Sequence, residues 1–235
     1  MKKTANNLNA IVLCGGKGTR LRPITENIPK PLIEINDKPI LEYLLNHLAA
    51  EGIDNVTLAT GYKSELIDDF VRGYRGKSVI KTVFSGDADI LDRIKDAADT
   101  FDGDFLVLYG DTLSDVDVSQ LITTHDEIGL PATITLWPLR SQFGLVNFDS
   151  GGKVTSFEEK PILNHHMNIG YFYFSRDILK YMEYQEEWEE FLGVMVKENI
   201  LSANLHRGKH ITVNTVEELN LARKNIKDFS HEAKL

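Results

Sequence analysis

The chain has 235 residues, 42% of them apolar and 26% charged, a globular balance that excludes disordered, collagenous and disulfide-framework classes. With 26 Lys and Arg against 35 Asp and Glu, the formal charge is −9, which argues against non-specific nucleic-acid binding, because a phosphate backbone wants a cationic surface. No apolar run reaches the ~20 residues of a membrane span, the polar start Met1-Lys2-Lys3-Thr4-Ala5-Asn6-Asn7 argues against a signal peptide, and the lone Cys14 fits a reducing compartment, so a cytoplasmic location is expected.

Ala10, Ile11, Val12, Leu13 and Cys14 form a continuous apolar run that ends at Gly15-Gly16, the pattern of a buried parallel strand feeding a loop. Ile40, Leu41, Leu44, Leu45 and Leu48 then recur at helical spacing until Gly52 stops them. Val56-Thr57-Leu58-Ala59 reads as the next strand, and Leu66, Ile67, Phe70, Val71 and Tyr74 line one face of the next helix. A strand over 79–84, a helix over 90–98 and a buried strand over 105–109 follow, the last ending at Gly110-Asp111. Asp117 is expected to cap a helix that starts near Val118. This alternation predicts an α/β fold with a parallel sheet and helices on both faces.

The second half reads as short strands over 132–137, 144–148, 154–157 and 170–174, with a hairpin turn at Ser150-Gly151-Gly152. Helices are predicted over 176–182, 187–198 and 216–226. No Pro/Ser-rich linker, repeat or low-complexity stretch divides the chain. The whole is read as one domain, 1–235: a parallel α/β core with a mixed β insertion, closed by C-terminal helices.

In open parallel α/β sheets, ligands bind outside the carboxyl ends of the strands. Two such ends carry chemistry here, Gly15-Gly16-Lys17-Gly18-Thr19-Arg20 and Gly110-Asp111. Glycine N–H groups can face phosphate oxygens, and Lys17 and Arg20 add positive charge. The loop is neither a Walker A motif nor a Rossmann fingerprint, and a plain glycine turn is the bland alternative. Lys30, between Pro29 and Pro31, is poorly placed for a helix but suits a point charge on a rigid arm; the bland alternative is a solvated lysine. Asp111 is a natural Mg²⁺ ligand or, more blandly, a turn aspartate. Glu159 and Lys160 end a predicted strand and suit a sugar phosphate, with a charged hairpin rim as the bland reading. Asn168, just before Gly170, could present its amide to the same pocket. His165 and His166 lack metal-site spacing and read as a solvated loop.

Gly15-Gly16-Lys17-Gly18-Thr19-Arg20-Leu21, followed by Pro29-Lys30-Pro31 and by Asp111 at its strand end, resembles the signature of the sugar-1-phosphate nucleotidyltransferases. Arg140-Ser141-Gln142-Phe143-Gly144 and Val154-Thr155-Ser156-Phe157-Glu158-Glu159-Lys160-Pro161 look most like the glucose-1-phosphate cytidylyltransferase branch, and the likeness runs from about 9 to 222. The resemblance implies a Rossmann-like nucleotide-diphospho-sugar transferase fold, with a nucleotide-binding half over about 9–128 and a sugar-phosphate half over about 129–235. It implies that Leu13, Gly15, Gly16, Lys17, Gly18 and Thr19 hold the nucleotide, that Arg20 grips the β- and γ-phosphates and that Lys30 meets the α-phosphate. It places Mg²⁺ on Asp111, the sugar hydroxyls on Glu159, the sugar phosphate on Lys160 and a further sugar contact on Asn168, with Gly144 and Gly170 in the same subsite.

Two departures stand out. Many relatives carry a glycine-rich turn where this chain has Ser85-Gly86-Asp87-Ala88-Asp89-Ile90-Leu91-Asp92-Arg93, which makes Asp89 and Arg93 candidate nucleotide contacts. Sugar-1-phosphate relatives often have an aspartate where this chain has Thr212. Val213-Asn214-Thr215, however, resembles the N-acetylglucosamine-1-phosphate uridylyltransferases, so Asn214 is the second metal candidate or, equally, the cap of the last helix. The implied activity joins a nucleoside triphosphate, CTP first, to a sugar 1-phosphate. The rivals are transfer of another base, a phosphocholine or phosphonate acceptor, or a non-catalytic nucleotide-sugar sensor. The expected partners are small molecules, with neither nucleic acid nor membrane, and a homo-oligomer stays open.

Overall fold

The computed structural model describes residues 8–229; the polar start at 1–7, on which the signal-peptide argument rests, lies outside them. Strand β1 (Asn9–Leu13) leads into three short 3₁₀ turns, Thr19–Leu21, Ile24–Glu26 and Lys30–Leu32. A small hairpin, β2 (Glu34–Ile35) and β3 (Lys38–Pro39), precedes helix α1 (Ile40–Ala50). Then come β4 (Asn55–Thr60), α2 (Ser64–Gly73), β5 (Val79–Phe84), α3 (Ile90–Ala98), β6 (Phe105–Tyr109), β7 (Thr112–Ser114) and α4 (Val118–Ile128). The second half holds β8 (Ala132–Arg140), β9 (Leu145–Phe148), β10 (Val154–Glu158), β11 (Ile162–Phe174), α5 (Leu179–Met182) and α6 (Trp188–Lys197). It closes with β12 (Leu201–Leu205), β13 (His210–Thr212) and α7 (Val216–Asn225).

Seven strands form one sheet in the order β12-β8-β11-β6-β1-β4-β5. Only β11 runs against the rest, pairing antiparallel with β6 and β8. The fold is therefore the expected α/β one, with a central, mostly parallel sheet flanked by helices. The period of two in β6 sorts its side chains onto two faces. Leu106 and Leu108 pack in a cluster with Leu41, Leu44, Leu45 and Leu48 of α1. Phe105 and Val107 pack on the other side with Ile94 of α3, Phe172, and Trp188 and Phe191 of α6. Each fully buried aromatic or branched side chain contributes roughly 1.5–3 kcal/mol from removal of apolar surface from water.

Several boundaries differ from expectation. The strand expected over 170–174 begins at Ile162, because its first half continues the ladder with β8; His165 and His166 therefore lie exposed on a strand rather than in a loop. Strands β8 and β11 join the main sheet, so only β9 and β10 stand apart as a two-stranded ribbon. The helix expected over 176–182 opens as a 3₁₀ turn, Arg176–Ile178. Asp117 does cap α4, accepting from Gln120 N at 2.8 Å. Thr215, not Asn214, caps α7, accepting from Glu218 N at 3.1 Å. Among the described residues, no helix is long and apolar enough to cross a membrane.

Candidate active site

Strands β1 and β6 are neighbours in register, Leu13 opposite Tyr109, so their carboxyl ends lie side by side. Gly110 N donates to Leu13 O at 3.1 Å, which joins the glycine loop to the segment carrying Asp111. The loop is braced from below. Cys14 N donates to Ala59 O at 2.8 Å, Tyr62 N to Gly15 O at 3.1 Å and Thr25 Oγ1 to Gly18 O at 2.9 Å.

Arg93 explains why Gly15 must be glycine. Its buried guanidinium donates to Thr60 O at 2.8 Å and Gly86 O at 2.8 Å, and its Nε to Ala88 O at 3.1 Å. A Cβ on Gly15 would lie 1.8 Å from Arg93 Nη1. Arg93 borders the cleft while its nitrogens hold the 85–88 turn against β4. Asp89 also lines the cleft and caps α3, accepting from Leu91 N at 3.0 Å. Lys17 reaches across to Asp87 at 2.7 Å, and that contact holds the Asp87 carboxyl below its ordinary range.

Lys30 is the first residue of a 3₁₀ turn, so the two prolines do not keep it out of helical backbone. Pro29 is extended, as the residue before a helical start should be, and Pro31 loses no needed donor so early in a turn. The side chain is buried, and its Nζ donates to Asp111 Oδ2 at 2.5 Å and Asn214 Oδ1 at 2.8 Å. Arg20 Nη2 donates to the same Asn214 oxygen at 2.9 Å. Asn214 is itself fixed: its Nδ2 donates to Thr212 Oγ1 at 2.8 Å and its backbone N to Glu218 Oε2 at 2.5 Å. With the NH₂ spent on a hydroxyl, the amide oxygen is turned toward the two cations. The structure thus gathers Arg20, Lys30, Asp111 and Asn214, with Thr212 behind them.

These groups line a cleft of about 560 Å³, within the usual range for small-molecule sites. Leu13 and 15–20 form one wall. The lining also includes three residues that the sequence reading did not single out: Tyr109, Trp188 and Glu189. Trp188 Nε1 donates to Tyr109 Oη at 2.7 Å, and Asn168 Nδ2 reaches the same oxygen at 3.5 Å. Burial is the main reason the Tyr109 hydroxyl is pushed up from its ordinary pKa. Gly170 has φ 72°, and a Cβ there would lie 2.4 Å from the Tyr109 ring, so glycine is what leaves room for that ring beside β11.

Gly144 precedes β9 and Glu159 and Lys160 follow β10, so the three lie at one end of the ribbon, outside the residues that line this cleft. Glu159 Oε2 lies 2.9 Å from where a side chain on Gly144 would begin, and Lys160 O accepts from Arg140 Nη1 at 3.1 Å.

The electrostatics suit anions handled without a covalent nucleophile. Cys14 is buried, and desolvation, with Asp111 second, drives its thiol pKa up. Among the described residues, no group of three or more His, Cys, Asp or Glu could hold a metal ion. Asp111 with the Asn214 amide oxygen instead offers one carboxylate and one neutral oxygen. That donor set fits a hard divalent cation that takes its other oxygens from phosphates and water.

The profile of the family described as nucleotidyl transferase matches residues 9–211. The chain belongs to that family. A D-glycero-alpha-D-manno-heptose 1-phosphate guanylyltransferase of Campylobacter jejuni is 35% identical over 79% of this chain and 85% of its own length. A Bacillus subtilis protein named "Probable glucose-1-phosphate cytidylyltransferase" is 30% identical over 90% of this chain and 93% of its own. A UTP--glucose-1-phosphate uridylyltransferase of Synechocystis is 34% identical over 77% of this chain, which spans only 53% of that relative. Family membership extends to the fold: the structure of HddC from Yersinia pseudotuberculosis complexed with GMP-PN superposes with a TM-score of 0.74 over 93% of this chain and 99% of its own, at 22% identity.

Proposed function

We propose that the chain joins a nucleoside triphosphate to a sugar 1-phosphate and releases pyrophosphate. The observation that carries this reading is the meeting of Arg20, Lys30, Asp111 and Asn214 beside a glycine loop at the carboxyl ends of β1 and β6. In the reaction, a phosphate oxygen of the acceptor attacks the α-phosphorus, the bond from that phosphorus to the bridging oxygen breaks, and pyrophosphate leaves in line. The attacking oxygen is already ionised near neutral pH, so no general base or covalent nucleophile is required. The protein's work is to bring two polyanions together and hold them aligned.

Backbone N–H groups of 15–19, with Lys17 and Arg20, face the triphosphate. Lys30 approaches the α-phosphate from a buried, rigid turn, so its charge is preorganised. Asp111 and Asn214 would hold Mg²⁺, which when bound neutralises phosphate charge. Glu159, Lys160 and Asn168, with Gly144 and Gly170, are assigned to the sugar phosphate, and Tyr109, Trp188 and Glu189 extend that side. Asp89 and Arg93 shape the nucleotide side. Residues 1–235 are taken as one domain acting on two small molecules.

CTP is the expected donor, supported by the motif resemblance and by the Bacillus subtilis relative, which matches over 90% of this chain. Guanylyl transfer is the second reading, favoured by the Campylobacter relative and by the GMP-PN in the Yersinia structure. The test is a pyrophosphate-release assay that crosses CTP, GTP, UTP and dTTP with a panel of sugar 1-phosphates, phosphocholine and a phosphonate. Release with one pair only names the substrates. Release with none, while nucleotide still binds, overturns the reading in favour of a nucleotide-sugar sensor.

A further inference from the structure

Trp188 opens α6 and is only 2% exposed. Its ring is clamped, edge to face with that of Phe172 at 5.1 Å and 5.9 Å from that of Phe191. A phenylalanine would meet the same neighbours. What tryptophan adds is one donor, the indole N–H, which needs a partner when buried. That donor goes to Tyr109 Oη at 2.7 Å. The other neighbour of this oxygen is a donor as well. Asn168 Oδ1 accepts from Gly170 N at 2.8 Å, so the Asn168 NH₂ is the end turned toward Tyr109, 3.5 Å away. A phenol keeps its proton at neutral pH, and here both lone pairs of its oxygen face donors. The proton has to leave in another direction, and among the described residues no acceptor meets it. The side left open to it is the cleft, which Tyr109 lines.

We propose that Trp188 is a positioning residue: with Asn168 it fills the accepting side of Tyr109 and aims the phenol O–H into the cleft, as a donor to a hydroxyl of the sugar phosphate. This rests on nucleotidyl transfer to a sugar 1-phosphate as the reaction, and adds to it the donor that recognises the sugar. Glu189 sets the kind of partner. It follows Trp188, borders the same cleft and is near enough for its charge to act on the Tyr109 phenol. A phosphate group offers only acceptors and a negative charge, which Glu189 repels. A sugar hydroxyl can accept from Tyr109 and donate to Glu189, so a fixed donor beside a carboxylate selects a neutral group that does both. The donor is also held in place before any ligand arrives. The Tyr109 ring lies 5.9 Å from that of Phe172, the ring that also clamps Trp188, so donor and positioning residue share one support. Little side-chain ordering then remains for binding to impose. A bare latch between α6 and β6 would need the indole–phenol bond, but not a second donor on the same oxygen.

A double-mutant cycle on the full chain tests this. Initial rates with CTP or GTP, against glucose 1-phosphate, mannose 1-phosphate and a heptose 1-phosphate, give separate KM values for the two substrates. Tyr109→Phe removes the hydroxyl alone and should raise KM for the sugar phosphate by roughly 5-fold to 10-fold, the scale of one well-placed hydrogen bond, with KM for the nucleotide unchanged. Trp188→Phe keeps an aromatic ring in the core, removes the N–H and should raise the same KM by up to that amount. The double variant should match Tyr109→Phe, because Trp188 acts through a hydroxyl that is already gone. A purely structural Trp188 would instead add its effect in both backgrounds and move both KM values. A second readout needs no change at Trp188. Trp137→Phe leaves Trp188 as the only tryptophan; its indole N–H signal in a nitrogen-15 spectrum should shift when the sugar phosphate is added, and should stay in place once Tyr109→Phe is introduced. An unchanged acceptor KM in folded Tyr109→Phe, additive effects in the cycle, or an indole signal that shifts equally without the phenol overturns the proposal, while turnover still upholds nucleotidyl transfer. No turnover with any pair defeats the reaction assignment, and this proposal with it.

Discussion

Lys30 and Asp111 lie 81 residues apart in the chain and 2.5 Å apart in space, Nζ to Oδ2. The lysine comes from a turn held by prolines after β1, and the aspartate from the end of β6. The contact exists because β1 and β6 are adjacent parallel strands whose outgoing segments must share one rim. An ammonium suited to a phosphate and a carboxylate suited to a cation thus occupy one point.

Lys30→Ala should lower the turnover for pyrophosphate release by ~10²-fold or more, the scale for removing one preorganised charge that acts on the transition state. The variant should fold but melt lower, because the Lys30 side chain is only 10% exposed and its loss leaves the 30%-exposed Asp111 carboxylate without its partner. Circular dichroism and thermal melting check the fold, and steady-state kinetics the rate. Unchanged turnover in a folded variant removes Lys30 from the mechanism.

Asn214 is the hub of the cluster, with one amide oxygen accepting from both Arg20 and Lys30. Asn214→Leu keeps the volume and deletes that oxygen. The expected result is a half-saturating Mg²⁺ concentration raised by roughly 10-fold to 10²-fold, the range for loss of groups that hold or orient a metal. Asn214→Asp restores an oxygen and should recover tight metal dependence. A Mg²⁺ titration of the rate that is identical in wild type and Asn214→Leu would count against the metal assignment.

Parts of this fold could be read from sequence because single elements obey simple periods. β5 over 79–84 and α3 over 90–98 match expectation to the residue, one a continuous β-rich run and the other an amphipathic turn sequence with Asp89 as its cap. β12 was hidden for a physical reason: its alternation is inverted. Ser202 and Asn204 point inward while Leu205 is exposed. The inward polar groups are satisfied, Ser202 Oγ by Thr133 Oγ1 at 2.7 Å and Ala132 O at 3.1 Å. β7 and β13 are three residues each, too short for any period to declare itself. In the site, Lys30 and Asp111 announced themselves by flanking residues and strand-end position. Trp188 did not, because it fits the apolar stripe of α6 equally well, and Glu189 lies in a run of carboxylates where no single one stands out.

Glu189 differs from the other carboxylates that line the cleft. Asp87 meets Lys17, Asp89 caps α3 and Asp111 meets Lys30, whereas Glu189 meets no cation or donor among the described residues. A carboxylate in that position suits the hydroxyls of an acceptor. Glu189→Gln should raise KM for the sugar phosphate by about 10-fold, in line with a hydrogen bond to a charged group, and leave KM for the nucleotide unchanged. Equal shifts for both substrates, or none, would reject an acceptor-side role.

His210 gives the fold a pH dependence that can be measured without substrates. Its ring lies 5.4 Å from that of Trp137, and both of its nitrogens are buried without a partner among the described residues. Burial first, and His206 second, lower its pKa to about 4, with Asp111 opposing. In the unfolded chain the same imidazole titrates near ~6.5. Between those two values the unfolded chain holds the extra proton, so unfolding free energy falls as pH drops from about 6.5 toward 4 and is flat above that window. At pH 5 the loss from this one group is about 2 kcal/mol, at 1.36 kcal/mol per pH unit. Urea denaturation at pH 7.5 and pH 5 should show that drop in the wild type. His210→Phe keeps the packing against Trp137 and cannot take a proton, so its drop should be smaller by about that amount; equal drops in the two proteins would assign the acid sensitivity elsewhere.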